Sequence, residues 1–179
     1  MSAARRIVIF GPESTGKTRL AQRLATHFGE PVAEEFVREF WEIKEGKIES
    51  GDLGTIALGQ MANEDGAAEG AGRAFFCDTD LLTCVLWDDL LFPGKCPAWL
   101  RAEAEARVLQ TDLFLFCDTD APWTPDPQRC FPDEAGRAMC RQVWTEALVR
   151  RGRPFTLVTG GWAEREAIAV AAVASTLAE

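Results

Sequence analysis

Gly11-Pro12-Glu13-Ser14-Thr15-Gly16-Lys17-Thr18 fits the pattern G-x-x-x-x-G-K-[ST]. Glycines at Gly11 and Gly16 let consecutive backbone N–H groups turn inward around a polyphosphate. Lys17 reaches the β- and γ-phosphates, and the Thr18 hydroxyl can take one position on Mg²⁺. The flanks give the string its meaning. Ile7-Val8-Ile9-Phe10 immediately before it reads as a buried strand. Leu20, Ala21, Leu24, Ala25 and Phe28 after it recur at helical spacing. The loop therefore lies on a strand-to-helix turn with the positive end of the helix facing the anion. Glu13, Ser14, Thr15 and Arg19 belong to the same nucleotide-phosphate site.

Length and composition bound the rest. At 179 residues the expectation is one domain over 1–179, with 47% hydrophobic and 26% charged residues in the ordinary range of a globular chain. A net charge of −9 argues against a nucleic-acid footprint or an anionic membrane surface. The stretch Met1–Arg6 is short and polar, and no apolar run is long enough to span a bilayer, so a cytoplasmic location is expected. The six cysteines form no C-x-x-C pair and His27 is the single histidine, which disfavours zinc. Cys77 and Cys117, inside apolar runs, read as core, and His27 as a helix-end residue.

Further strands are predicted at Pro31–Ala33, Ala74–Cys77, Leu113–Cys117 and Phe155–Val158. Helices are predicted over Phe36–Lys44, from Ser50 or Asp52 through Met61 to the glycines at 66, 70 and 72, and over Leu81–Leu90, Trp99–Val108, Asp133–Arg150 and Trp162–Leu177. Short apolar strands alternating with helices predict a three-layer α/β/α fold around a parallel sheet of about five strands. Ligands in such sheets bind at the carboxyl ends of the strands. Those ends carry the phosphate-binding loop, Glu34/Glu35, Asp78/Asp80, Asp118/Asp120 and Gly160/Gly161. Some of these acids are expected to hold metal or substrate.

Phe75-Phe76-Cys77-Asp78 is a strand closed by an aspartate, an arrangement that turns a carboxylate toward the Mg²⁺ on Thr18; either Asp78 or Asp80 can instead cap the next helix. The proline-rich run Ala121–Pro132, with Trp123, Asp126 and Arg129, precedes a helix carrying Arg137 and Arg141. A stiff loop with arginines is what a lid over a triphosphate needs, and the lid region is placed at about 120–150. Arginines that merely pair with neighbouring acids are the alternative.

Together the loop Gly11–Thr18, then Glu35-Phe36-Val37-Arg38-Glu39-Phe40, then Asp78-Thr79-Asp80, then Pro122-Trp123 with Asp126 and Arg129 resemble the ribosylnicotinamide kinase domain of the bacterial NadR proteins. The match runs in order from about Ile7 to Gly160-Gly161-Trp162. The resemblance implies a P-loop nucleoside-kinase fold, ATP with Mg²⁺, and transfer of the γ-phosphate to the 5′-hydroxyl of nicotinamide riboside, a small-molecule partner. It also implies that the kinase unit stands without the adenylyltransferase domain of those proteins. By position it assigns Glu35 and Arg38 to the acceptor ribose, Asp78 to the metal and acceptor side, and Arg129 to the lid. Gly160, Gly161 and Arg165 fall in the loop bordering the nucleotide base. Glu34, Gln60, Asp80, Trp123 and Asp126 complete the acceptor-side candidates. The catalytic set is Lys17, Glu35, Arg38, Asp78 and Arg129.

The family pattern has an aromatic residue directly before the E-[FY] pair; here it is Glu34, and the chain has no tyrosine. A carboxylate there can attract a pyridinium, with stacking left to Phe36, Phe40, Trp41 or Trp123. Another nucleoside or metabolite kinase shares the phosphate-handling features, and an ATP-binding regulatory module without turnover is a further alternative. A GTPase switch would need N-K-x-D, which the sequence lacks.

Overall fold

The computed structural model describes residues 4–178. Chain order is β1 (Arg5–Phe10), α1 (Lys17–Phe28), β2 (Val32–Ala33), α2 (Phe36–Ile43), a 3-10 turn (Ser50–Asp52), α3 (Leu53–Gly70), β3 (Ala74–Asp78), α4 (Leu81–Leu91) and α5 (Ala98–Leu109), followed by β4 (Leu113–Cys117), α6 (Glu134–Arg150), β5 (Phe155–Val158) and α7 (Trp162–Ala178). The five strands form one parallel sheet ordered β2-β3-β1-β4-β5. β1 lies between β3 and β4, with Ile9 opposite both Asp78 and Leu115.

Both faces of the sheet are covered, which is why its central strands are continuously apolar. Val8 and Phe10 of β1, with Phe75, Cys77, Phe114 and Phe116, pack against Leu82 and Leu86 of α4, Val108 of α5 and Trp144 of α6. Ile7 and Ile9, with Phe76, Leu115 and Cys117, pack on the other side against Leu20 and Leu24 of α1 and Val173 of α7. A satellite core of Ala57, Leu81, Val85, Leu100 and Ala104 joins α3, α4 and α5. Three layers around a five-stranded parallel sheet is the expected fold class.

The helix after Ser50 departs in detail from its prediction. Glu49 and Asp52 cap the short turn reciprocally, and α3 then runs through Gly66 to Gly70. A mid-helix glycine costs about 1 kcal/mol, and burial of Glu64 and Ala67 on either side of Gly66 outweighs it. Glu64, fully buried, accepts from Arg6 (2.6 Å), Arg107 (2.9 Å) and Gln60 (3.4 Å), joining α3 to β1 and α5. Among the described residues no helix is long and apolar enough to cross a membrane.

Candidate active site

The phosphate-binding loop joins β1 to α1 at the centre of the sheet. Gly11 has φ +138, and a Cβ there would stand 2.6 Å from the carbonyl oxygen of Cys117 on β4. Only glycine lets the loop leave β1 this close to its neighbour. Gly16, φ +81, lies under the ring of Trp162, which fills the space a Cβ would need. The Arg19 guanidinium stacks on that ring at 4.0 Å. Lys17 Nζ donates to the Pro12 carbonyl at 2.8 Å, and the Thr15 hydroxyl donates to the same oxygen.

Asp78 ends β3 beside this loop. It is 2% exposed, its Oδ1 has no hydrogen-bond partner among the described residues, and the Thr18 hydroxyl neighbours its carboxylate. Burial, then the negative charge of Glu35, pushes the Asp78 carboxyl up to about 6, while Thr18, Lys17 and Arg38 work the other way. A hydroxyl and an unpartnered carboxylate oxygen side by side are hard oxygen donors that suit Mg²⁺, with water and phosphate completing its shell. Thr18 and Asp78 fit that ion. Thr79 follows with φ 67, a conformation a β-branched residue rarely adopts. The turn sends Asp80 away from the site: it is buried, and accepts from the backbone N–H and hydroxyl of Thr83 as the cap of α4.

Glu35 precedes α2 and accepts from Arg38 Nε at 2.8 Å; the other end of that guanidinium faces Asp126 of the lid at 3.5 Å. Asp126 is held ionised, below the usual carboxylate range, first by the backbone N–H of Gln128. The lid is fastened to the phosphate-binding loop. Glu13 accepts the N–H groups of Cys130 (2.9 Å) and Phe131 (2.6 Å). Ser14 Oγ accepts from Thr124 N–H (2.9 Å) and from Arg129 (3.2 Å). Arg129 also donates to the Thr124 carbonyl, and its Nε is buried without a partner among the described residues.

Behind this centre a cavity of about 290 Å³ opens between α2, α3, α4 and the lid. Glu13, Lys17, Glu35, Arg38 and Arg129 border its phosphate-facing part, and Val37, Trp41, Ile56, Trp87, Leu91 and Phe92 supply apolar wall. Gln60 lines it too, 1% exposed; its Oε1 accepts the Phe36 N–H at 3.0 Å, so it braces the start of α2.

The geometry thus brings Lys17, Thr18, Glu35, Arg38, Asp78, Asp126 and Arg129 together around one point. It moves three expected site residues, Asp80, Trp123 and Arg165, elsewhere. Asp80 is a helix cap. Glu34, although exposed and absent from the apolar cavity, borders a second, smaller one that Thr18, Glu35, Arg38 and Asp78 also line, so it stays beside the reaction centre. Trp123 lies outside the large cavity, with Arg129 and Arg137 each 5.6 Å from its ring. Arg165, 2% exposed, donates to the carbonyls of Gly160 (2.8 Å), Thr15 (3.2 Å) and Asp118 (3.1 Å) and to Asp120, so it ties loops together beneath the surface. The acids after β4 are engaged likewise: Arg141 holds Asp118 at 2.6 Å, and Asp120 accepts from Gly160 N–H and the Thr159 hydroxyl. Arg137 donates to the carbonyls of Thr119 and Ala121, so both helix arginines anchor the lid's base. Sequence reading missed Trp87 and Asp88 in the cavity. The only trace was the pair Asp88-Asp89 inside the largely apolar run of α4.

Known proteins of this kind match over most of the chain. The trifunctional NAD biosynthesis/regulator protein NadR of Salmonella typhimurium is 26% identical over 158 residues, 86% of this chain and 38% of the relative, so the chain spans about two-fifths of that protein. A NadR protein solved with NAD and AMP-PNP superposes with a TM-score of 0.74 at 20% identity, covering 99% of this chain and 50% of that one; the same kind of protein with NR gives 0.72, also at 20% identity, over 99% and 52%. Deoxyadenosine kinase from M. mycoides, at 13% identity, gives 0.66 over 95% of this chain and 99% of its own. These likenesses show the fold of P-loop kinases. The family model AAA_28, an AAA domain, matches residues 6–165, and the chain belongs to that family.

Proposed function

We propose that this chain is a cytoplasmic kinase that transfers the γ-phosphate of ATP to the 5′-hydroxyl of nicotinamide riboside, giving nicotinamide mononucleotide and ADP. One observation carries the reading: Lys17, Thr18, Asp78, Glu35, Arg38 and Arg129 converge where the phosphate-binding loop meets an apolar cavity. Such a junction suits a phosphate donor on one side and a small alcohol with a flat ring on the other. The similarity to NadR, and a NadR structure holding NR, favour that acceptor among nucleosides.

In this reading the loop's N–H groups and Lys17 hold the β- and γ-phosphates. Thr18 and Asp78 would hold Mg²⁺, which would supply positive charge to offset that of the phosphate oxygens. Glu35 accepts the proton of the acceptor hydroxyl on Oε1, since Arg38 engages its Oε2. The acceptor oxygen forms its bond to the γ-phosphorus as the bond to the ADP oxygen breaks. Arg38 and Arg129 offset charge spreading over the transferred group, and the closed lid keeps water from taking the acceptor's place. Positioning and electrostatics supply most of the rate in so loose a transition state. Incubation with MgATP and nicotinamide riboside, followed by chromatography, tests the reading. The mononucleotide and ADP should appear in equal amounts; ADP without mononucleotide would overturn the assignment.

A further inference from the structure

We propose that Asp88 selects the acceptor, its carboxylate taking a hydrogen bond from an N–H group on the far end of the acceptor's ring. The inference deepens the kinase reading and rests on it for the place of the reacting hydroxyl. Thr83, Cys84, Trp87, Asp88 and Leu91 follow the i, i+4, i+8 spacing of one helix face, and all line the cavity. Asp88 is 6% exposed, and its Oδ2 is buried with no hydrogen-bond partner among the described residues. A buried carboxylate oxygen without a donor is unfavourable unless a ligand supplies one.

Other groups do not answer it. The Cys96 thiol is a neighbour but a weak donor. Arg101, whose charge reaches Asp88, is paired with Asp89 on the outer side of α4. Three other polar residues of the lining are engaged elsewhere: Gln60 with Phe36 and Glu64, Thr83 with Asp80, Glu35 with Arg38. Burial accordingly leaves the Asp88 carboxyl raised to about 6, still mostly ionised above neutrality.

Position along α4 gives the acceptor's length. The helix begins beside the reaction centre, and eight residues separate the cap Asp80 from Asp88, about 12 Å of axial rise. A nucleoside phosphorylated at its 5′ end can span that distance; a short polyol cannot. Apolar wall between the two ends leaves the ring only dispersion contacts, so the distal hydrogen bond carries the discrimination. The site therefore favours rings bearing an amide or amino group over rings bearing a carboxylate or carbonyl in its place.

Matched pairs test this: nicotinamide riboside against nicotinate riboside, cytidine against uridine, adenosine against inosine. Each is assayed for phosphorylation with MgATP and for binding by calorimetry. The wild type should prefer the member bearing the exocyclic NH₂ group in every pair it accepts by at least about tenfold. Asp88→Ala should erase most of that preference, chiefly through KM or Kd, while Asp88→Glu, which keeps the charge, should retain part of it. Circular dichroism melts confirm that both variants fold. Equal use of both members, or an unchanged ratio in Asp88→Ala, would overturn the proposal. Turnover of cytidine or adenosine in place of nicotinamide riboside would sink the proposed substrate and support the role of Asp88. A wild type that neither phosphorylates nor binds any of the six would overturn both.

Discussion

The proposed mechanism gives two carboxylates at one site, Glu35 and Asp78, different tasks. Asp78 neighbours the Thr18 hydroxyl and has an oxygen without a partner among the described residues, which in the proposed mechanism suits it to Mg²⁺. Glu35 is clasped by Arg38 on one oxygen only, which leaves the other for a proton. Glu35→Gln should lower kcat about 10²- to 10⁴-fold with little change in the Mg²⁺ concentration required. Asp78→Asn should raise that requirement as well as slow the reaction; identical Mg²⁺ titrations of the two variants would refute the division. The residues legible in the sequence were those fixed by local chain geometry. The phosphate-binding loop and the aspartate closing β3 are set by a few neighbouring residues. Arg165 misled because proximity to a ligand loop in sequence says nothing of whether a guanidinium faces outward. Asp88 was hidden because only packing of α2 and α3 against α4 turns its face of the helix into a cavity wall, which the residue types of α4 alone do not reveal.

Lid and phosphate-binding loop behave as a fastened pair of elements. Glu13 was expected to serve the nucleotide, yet its carboxylate holds two lid N–H groups. Charge-assisted bonds of this kind contribute about 1.5–3 kcal/mol each. Glu13→Ala should therefore open the segment 121–132, and trypsin cleavage after Arg129 should accelerate by about tenfold or more. Arg129→Ala acts differently, because its buried Nε is free for a phosphate oxygen. It should lower kcat by about 10³-fold or more while leaving the melting temperature nearly unchanged. Full kcat in that variant would remove Arg129 from catalysis. The elements themselves were readable because each strand is a short apolar run and each helix an amphipathic or capped one. Their ends were less so: α3 continues through Gly66 because tertiary burial overrides glycine's preference.

Across the whole molecule, buried acids set how stability responds to pH. Burial, then the charge of Glu64, raises the Asp80 carboxyl to about 7, and Asp78 and Asp88 are raised to about 6. The folded chain thus keeps protons that the unfolded chain releases near the ordinary value of 3.8. Between those values the native state binds more protons, so its stability must fall as pH rises through the window. Asp118 and Asp126, held below the ordinary range, respond only at lower pH and do not alter this slope. Melting temperature should drop between pH 5 and pH 7.5. Asp80→Asn, which keeps an oxygen for Thr83, should flatten the drop and gain about 1 kcal/mol or more at the upper end. A flat wild-type profile would show that these acids are ionised in the folded protein.

Trp162, lying on Gly16 beneath the Arg19 guanidinium, has one more consequence. An indole in contact with the turn that receives the triphosphate is a built-in optical gauge. Adding MgATP should shift or quench the intrinsic emission, and Trp162→Phe should abolish most of that signal, so occupancy of the site can be followed by light before any acceptor is supplied.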